Sequence, residues 1–370
     1  MMRYQEIKEQ LIQEISQLEP GTRLPSRPTL CSRLDTNRTT LDRAIKELER
    51  EGMLYSRNGS GTYVIGLVQG KLPTTENWGV IVPNVMDHVY PSLARGIENI
   101  ACRYSANVIL CNSDDDVEKQ NRYIKRLLLS GVSGFIIVPV ITRSAEVTSR
   151  LYGTLLDSNI PFVFCHRGVE GIRVPIVKSN DFYGGYLATK HLISRGYRNI
   201  AYIAKQEYST SVERYQGYVS ALQEHGLPVD RARIFLPQEE KPSSSYQFMK
   251  RLLTRDASLD AVFCFNDYVA LEVCSAIRDE GKQISADIGV IGYDNLPADN
   301  SVSPKITSLA FKSLQIGERA AEILYELIHQ KTKGDWLNYY LFQPSIVLRE
   351  SCLGPVARMS HASKERKDVL

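Results

Sequence analysis

Residues 21–64 read GTRLPSRPTLCSRLDTNRTTLDRAIKELEREGMLYSRNGSGTYV, and this stretch decides the fold of the N-terminal part of the chain. Ser26 is placed to cap a short helix over residues 27–34, and Asn37 to cap a second helix over residues 38–51. Asp35, between the two helices, tolerates the left-handed backbone of a tight turn. The sequence then predicts a β-hairpin, because two β-prone runs flank an Asn-Gly-Ser-Gly sequence.

An amphipathic helix is predicted before this stretch, over residues 3–18, where Pro20-Gly21 ends the pattern. Its apolar positions are Tyr4, Ile7, Leu11, Ile15 and Leu18. The resulting order of helix, helix, turn, helix and hairpin is that of a winged helix-turn-helix, in which the helix after the turn enters the major groove of DNA.

The start of the predicted recognition helix carries hydrogen-bond donors, which is where such a helix reaches phosphates and base edges. The residues are Asn37, Arg38, Thr39 and Thr40, with Arg43 one turn later. The two hydroxyls and the helix N-terminus suit phosphate, and Arg38 can form a bidentate contact with guanine. Taken alone, the same residues fit a solvated helix cap somewhat better, so the prediction depends on the whole segment.

As an ordered set, the motifs of residues 21–64 resemble the winged helix of the GntR family over its full length. The resemblance implies that residues 37–40 contact operator DNA, together with Asn58 and Gly59 at the tip of the hairpin. It also exposes two departures. Arg27-Pro28 replaces the usual acidic residue and arginine, so the DNA contact is expected to move to Arg27 or to be lost. Asp42 stands where some members have a DNA-facing arginine, and a carboxylate there could instead read cytosine.

Beyond residue 66 the pattern changes to short apolar runs that alternate with longer helical patterns, which predicts βαβ units and parallel sheets. Two sets of such units predict an α/β domain with two similar lobes. The expected organisation is a DNA-binding domain at 1–66, a linker at 67–77, a two-lobed domain for effector binding and dimerisation at 78–350, and a polar tail at 351–370.

The segment from Trp78 to Glu350 resembles the effector domain of the LacI/GalR family, which is related to periplasmic sugar-binding proteins. Motifs spread along the segment carry the resemblance, at residues 79–83, 95–96, 191–201, 213–217, 265–267, 288–295, 306–309 and 348–351. The resemblance implies a ligand held between two lobes and a homodimer formed through this domain.

Seven residues are candidates for effector binding by this resemblance: Asp87, His88, Tyr90, His166, Arg214, Asn266 and Asp294. A guanidinium, an amide and a carboxylate can each make paired contacts with sugar hydroxyls, and an aromatic ring can cover the C–H face of a sugar. Asp294 follows a predicted strand, where ligands of open α/β sheets bind. His166-Arg167 replaces the Asp-Arg of many relatives, and the loss of a carboxylate favours an acidic or phosphorylated sugar over a neutral hexose.

Composition and motifs exclude several other classes of protein. The net charge is only +3, and the seven cysteines are scattered without a CxxC pair, so neither a zinc site nor a disulfide framework is predicted. No phosphate-binding GxxxxGK[ST] loop, GxSxG elbow or HExxH motif occurs, so the chain is not expected to be an enzyme or to need a cofactor or metal. No apolar run is long enough to cross a membrane, and no signal peptide is recognisable, which predicts a cytoplasmic protein.

We therefore expect a sequence-specific transcription regulator, in the first place a repressor, whose affinity for double-stranded operator DNA is set by a small sugar-like effector. Arabinose is the first candidate by analogy, since the arabinose-responsive repressors of Gram-positive bacteria combine the same two domains. Two alternatives stay open: a carbohydrate receptor without DNA function, and a regulator that responds to a non-sugar effector such as a purine.

Overall fold

The computed structural model describes residues 3–15, 17–19, 21–50, 52–57, 60–65, 76–142, 144–204, 209–237, 244–297, 303–329 and 339–354. The chain divides into two compact units, Met1–Thr75 and Glu76–Leu370. Most of the expected linker and residues 355–370 of the expected tail lie outside the described residues. Asn77, the last residue of that linker, already belongs to the first strand of the second unit.

The first unit contains three helices and a hairpin: α1 (Arg3–Ile15), α2 (Arg27–Arg33), α3 (Arg38–Arg50), β1 (Leu54–Arg57) and β2 (Gly61–Val64). β1 and β2 are antiparallel, and the apolar faces of the helices form one core around Leu11, Leu41 and Leu48. The predicted local signals are confirmed. Ser26 caps α2, Asp35 has a φ of 44°, and the Asn37 side chain accepts the backbone N–H of Thr40.

The second unit alternates strands and helices. Up to residue 179 these are β3 (Asn77–Val82), α4 (Val89–Arg103), β4 (Asn107–Asn112), α5 (Val117–Leu129), β5 (Gly134–Ile137), α6 (Ala145–Asp157), β6 (Phe162–Cys165) and β7 (Ile176–Ser179). After it follow α7 (Asp181–Ser194), β8 (Ile200–Ile203), α8 (Ser209–Glu224), β9 (Ile234–Phe235), α9 (Ser245–Arg255), β10 (Ala261–Cys264), α10 (Asp267–Asp279), β11 (Gly289–Tyr293), β12 (Thr307–Ala310), α11 (Ser313–Ile328), β13 (Tyr339–Phe342) and β14 (Ser345–Val347).

These elements build two lobes, each with a six-stranded sheet. Lobe 1 has the strand order β13-β7-β6-β5-β3-β4, and lobe 2 has the order β14-β12-β11-β10-β8-β9. All pairs are parallel except β12 with β14. The chain crosses between the lobes three times, after β7, after β12 and after β13. The predicted two-lobed α/β fold with parallel sheets is confirmed.

Pairs of glycines allow two helices to pack closely in each lobe. A Cβ on Gly96 of α4 would lie 2.2 Å from the Leu314 carbonyl oxygen of α11, and a Cβ on Gly317 would lie 2.2 Å from that of Leu93. In lobe 2, Gly185 of α7 and Gly217 of α8 make the same kind of approach. The α7–α8 contact matters for function because it fixes the backbone of the buried Arg214, described below.

Three details differ from the sequence-based expectations. The sequence of residues 341–348 predicts a single strand after the last helix, but it forms two strands in different sheets, because Pro344 interrupts it at a crossover between the lobes. The crossover strands β7 and β12 were not predicted. Ser351 and Cys352 are not part of a polar tail: both are buried, and the Ser351 hydroxyl donates to the Val290 carbonyl at 2.6 Å.

Among the described residues, no helix combines the length and apolar character that a membrane span requires. Nor does the described part of the chain hold a group of three or more His, Cys, Asp and Glu side chains arranged to bind a metal ion.

Candidate functional site

The start of α3 presents a polar surface in the first unit. Asn37 and Thr40 use side-chain groups for the helix cap, since the Asn37 Oδ1 accepts both the N–H and the hydroxyl of Thr40 at 2.9 Å. Arg38 and Thr39 point outward, and the Arg38 side chain is 81% exposed. The exposed side of α3 continues along a groove of about 550 Å³ that is lined by Thr39, Asp42, Arg43, Lys46, Glu47 and Arg50.

The other two predicted DNA-contacting arginines have partners within the unit. The Arg43 guanidinium lies 4.2 Å from the centre of the Tyr4 ring of α1, a cation–π contact. Arg27 donates its Nε to Asp42 at 2.8 Å and its Nη1 to the Thr62 hydroxyl at 3.0 Å. Asn58 and Gly59, the predicted contacts at the hairpin tip, lie outside the described residues.

In the second unit, loops after the strands of both sheets place the predicted effector residues around one cleft. Parallel strands end at the same edge of a sheet, so the loops that follow β3 and β6 in lobe 1, and β10 and β11 in lobe 2, lie close together. They carry Asp87 and His88, His166, Asn266 and Asp294, in that order, while Tyr90 lies in the first turn of α4 and Arg214 in α8.

Arg214 is the charged centre of the cleft, with a side chain only 1% exposed. Its Nε donates to the Asp181 carboxylate at 2.8 Å and its Nη1 to the Phe265 carbonyl at 2.6 Å. Its guanidinium lies 3.5 Å from the centre of the Tyr293 ring. Burial works against the charged form, but Asp181 and the other nearby groups outweigh it and raise the pKa of Arg214.

Asp294 reaches Arg214 from the end of β11, with 3.7 Å between its Oδ1 and the Nη2 of Arg214. Asp294 has a φ of 93°, a left-handed conformation that a non-glycine residue adopts only when neighbouring contacts hold it. Burial raises the pKa of its carboxyl, against the effect of Arg214 and His88. Its Oδ1 is buried and makes no hydrogen bond with a described residue.

The aromatic residues of the cleft meet edge to face. The His166 ring lies at 89° to the Tyr90 ring and at 82° to the Phe311 ring, and His88 meets Tyr268 across the cleft at 69°. Tyr90 is only 6% exposed and belongs to the core of lobe 1. Little of its ring is therefore accessible in this conformation, and the expectation that it covers a sugar stays a prediction.

Asn266 and its neighbour Asp267 have different roles. Asn266 is the N-cap of α10, accepting the Val269 N–H at 3.0 Å, so its carbonyl oxygen is already engaged. Asp267, which the sequence did not single out as a site residue, is buried beneath Asp294. It accepts the Ser308 hydroxyl at 2.8 Å and the Leu296 N–H at 2.7 Å, and so it holds the turn that presents Asp294.

Sequence reasoning also missed three charged residues around the cleft, namely Asp181, Lys178 and Arg167. Lys178 donates to Glu213 at 2.6 Å and lies 3.6 Å from Asp181. Arg167 donates to Asp115 at 2.8 Å and to the Pro139 carbonyl at 2.7 Å. Lys178 and Asp181 lie within and shortly after the crossover strand β7, which was not predicted, whereas Arg167 follows β6 and was noted only as the neighbour of His166.

Comparisons with known proteins agree with both units. Residues 3–64 match the model of the bacterial regulatory proteins of the gntR family, and residues 189–352 match that of the periplasmic binding protein-like domain. The HTH-type transcriptional repressor PurR of Pasteurella multocida is 31% identical over 283 residues, which are 76% of this chain and 82% of that repressor. The chain belongs to the bacterial transcriptional regulators of the LacI/GalR type. Its DNA-binding domain is of the GntR type, and the prediction of a regulator that is not an enzyme is confirmed.

Two further proteins are similar to this regulator, one over both domains and one over about three quarters of the chain. The arabinose metabolism transcriptional repressor of Geobacillus stearothermophilus is 27% identical over 354 residues, 94% of this chain and 97% of that repressor, so it matches both domains. The structure of a LacI family transcriptional regulator from Enterococcus faecium with bound ribose is 29% identical, covers 76% of this chain and 99% of its own, and gives a TM-score of 0.62.

Proposed function

We propose that this regulator is a cytoplasmic repressor that binds operator DNA as a homodimer, and that an uncharged, hydroxyl-rich small molecule between its lobes weakens the binding. The observation that carries the effector proposal is a concentration of buried polar atoms without a hydrogen bond. Five of the nine buried side-chain N and O atoms without a hydrogen bond among the described residues lie here: both ring nitrogens of His88, Nδ1 of His166, Oδ2 of Asp181 and Oδ1 of Asp294. Burying polar atoms without a hydrogen bond is costly, and a ligand with several hydroxyls can supply these hydrogen bonds.

The charges around the cleft support an uncharged ligand. Arg214 contacts Asp181 and Asp294, Lys178 contacts Glu213 and Asp181, and Arg167 contacts Asp115. Each of these three described cations is thus already matched by at least one carboxylate, which favours an uncharged ligand over a phosphate or uronate. The acidic or phosphorylated sugar favoured by the sequence is accordingly not part of the proposal.

The arrangement of the aromatic rings favours a sugar over a purine as the ligand. A planar base binds best against an open aromatic face, whereas the rings of this cleft meet edge to face, so that one ring of each pair lies against the face of the other. A cavity of about 290 Å³, lined by His88, Asp294 and Phe311 among others, is of the size of a small ligand. Arabinose is the first ligand to test, because the arabinose metabolism repressor matches the chain over both domains.

Dimerisation through the effector domain is part of the proposal, because one winged helix makes few contacts and a dimer fixes the spacing of two half-sites. Exposed apolar side chains on lobe 1 support it: Leu110 on the edge strand β4 is 42% exposed, and Leu129 at the end of α5 is 90% exposed. Light scattering of the full chain after size-exclusion chromatography measures the mass, and a monomer at micromolar concentration would contradict this part of the proposal.

A thermal-shift screen tests the effector proposal. The panel contains arabinose, ribose and glucose, the corresponding sugar phosphates, galacturonate and hypoxanthine. A ligand at 100 times its Kd stabilises the folded protein by about 2.7 kcal/mol. We expect an uncharged sugar to raise the melting temperature of the wild type and of Asp157→Asn, which removes an exposed carboxylate outside the cleft, but not of Asp294→Asn. A shift with hypoxanthine or a sugar phosphate alone would overturn the proposed effector class.

A further inference from the structure

Asp42 on the recognition helix α3 is surrounded by arginines. Its Oδ1 accepts the Nε of Arg27 at 2.8 Å, and its Oδ2 lies 3.7 Å from the Nε of Arg38. The Asp42 side chain is 40% exposed, compared with 26% for Arg27 and 81% for Arg38. A carboxylate on the DNA-facing surface of a protein repels phosphate, so its presence at this position needs a reason.

Arg27 extends this contact to the hairpin. Its Nη1 donates to the Thr62 hydroxyl of β2, and that hydroxyl also contacts the Ser56 hydroxyl of β1 at 2.8 Å. Ser56 in turn donates to Glu49, near the end of α3. The recognition helix, the start of α2 and the tip-side half of the hairpin are therefore joined by one chain of polar contacts that begins at Asp42 and returns to the same helix.

We propose that Asp42 is a positioning residue for DNA recognition: it directs Arg27 and Arg38 and couples the hairpin to α3, without itself contacting a base. A free arginine side chain samples many rotamers and gives up about 2 kcal/mol of rotamer entropy when it is fixed. An arginine held in advance by a carboxylate loses less on binding, so it favours the one DNA sequence that fits its fixed direction. The negative charge of Asp42 meanwhile weakens binding to every sequence alike.

The Asp42 Oδ1 accepts a hydrogen bond from Arg27, and its Oδ2 lies 3.7 Å from the Nε of Arg38, which argues against a direct contact with cytosine. An amino group of cytosine would have to compete with a charge-assisted hydrogen bond of 2.8 Å. Arg27 and Arg38 therefore read the DNA sequence, whereas Asp42 increases the ratio of the affinity for operator DNA to the affinity for non-specific DNA.

The test uses the full chain and two duplexes: one enriched from a random library by the wild-type protein, and one of scrambled sequence. Fluorescence anisotropy gives the Kd for both at several salt concentrations, for the wild type, Asp42→Asn, Asp42→Ala, Arg27→Ala and the double variant R27A/D42A. Asn keeps an oxygen that can accept the Arg27 Nε, whereas Ala does not. Melting temperatures show that each variant folds.

We expect D42A to reduce the ratio of specific to non-specific affinity by about tenfold, the size of a lost base-pair preference. Binding of D42A to the scrambled duplex should tighten, with a salt slope steeper by about one unit. D42N should retain most of the ratio. R27A should also reduce the ratio, and the double variant should lose less than the sum of the two single variants, because Arg27 and Asp42 act in part through their shared contact.

Two results would overturn the proposal. If library selection with D42A returns a site altered at a single base pair, and the effects of R27A and D42A add, Asp42 reads a base directly. If D42N and D42A tighten binding to both duplexes equally and leave the ratio unchanged, Asp42 acts only by repelling phosphate.

Discussion

Replacing Arg214 by Ala should destabilise the effector domain strongly, whatever it does to ligand binding. Arg214 and Asp181 are 1% and 0% exposed, and the Nε of Arg214 lies 2.8 Å from the Asp181 carboxylate. Removing one partner of a buried ion pair costs about 3–5 kcal/mol, because the other charge stays buried without compensation. Lys178, 3.6 Å from Asp181, compensates in part, so we expect about 3 kcal/mol.

For a domain of this size a loss of about 3 kcal/mol corresponds to a fall of roughly 6–12 °C in the melting temperature. The assay is thermal and urea unfolding of the full chain, followed by far-UV circular dichroism. Asp294→Asn is the matched control, because Asp294 makes no hydrogen bond to Arg214 and burial already raises the pKa of its carboxyl. We expect that variant to stay within about 1 kcal/mol of the wild type.

A free energy of unfolding of R214A within about 1 kcal/mol of the wild-type value would contradict this prediction. Arg214 would then contribute little to folding, and its buried contacts would be dispensable. The expected outcome also has a practical consequence: a loss of ligand binding in R214A cannot be separated from loss of the folded cleft, whereas D294N tests the pocket cleanly.

Three further predictions concern packing and titration. Gly317→Ala should lower the free energy of unfolding by several kcal/mol, since the new Cβ would lie 2.2 Å from the Leu93 carbonyl oxygen. Gly153→Ala has open space around it and should raise the free energy of unfolding by about 0.5–1 kcal/mol. Urea unfolding compares the two variants, and equal stabilities would contradict the close helix packing. Burial raises the pKa of Asp267 to about 7, so the unfolding free energy of the wild type, relative to Asp267→Asn, should rise as the pH falls from 7 towards 4; a flat difference would contradict it. Burial and the nearby cations hold the pKa of His166 well below its usual value, so the unfolded chain takes up the proton first, and the wild type should lose stability relative to His166→Gln as the pH falls below about 6.5.

Local signals made the fold of this regulator predictable. Ser26, Asp35 and Asn37 each act through their own backbone neighbours, so their effect can be read from the sequence around them. The alternation of strands and helices likewise predicted the two parallel sheets. The crossover strands were missed because β7 (IVKS) and β12 (TSLA) each contain two polar residues among four, and so they do not stand out as apolar runs.

The cleft was only partly predictable. The family resemblance pointed to Arg214 and Asp294, and the Nη2 of Arg214 does lie 3.7 Å from the Oδ1 of Asp294. It could not show that Asp181 pairs with Arg214, because that contact joins a crossover to a helix some thirty residues later. Nor could it show that Tyr90 is packed into lobe 1, since an aromatic residue at a helix start looks the same in sequence whether it faces a ligand or the core.

The most direct test of the central claim is the affinity of the full-length protein for its selected operator duplex, measured with and without arabinose and the other uncharged sugars. We predict that one of these sugars weakens the complex by 5- to 150-fold, the range of ordinary allosteric coupling, and that D294N binds the operator normally but does not respond. An operator affinity that no uncharged sugar changes, together with a response to a purine or a sugar phosphate, would contradict the account.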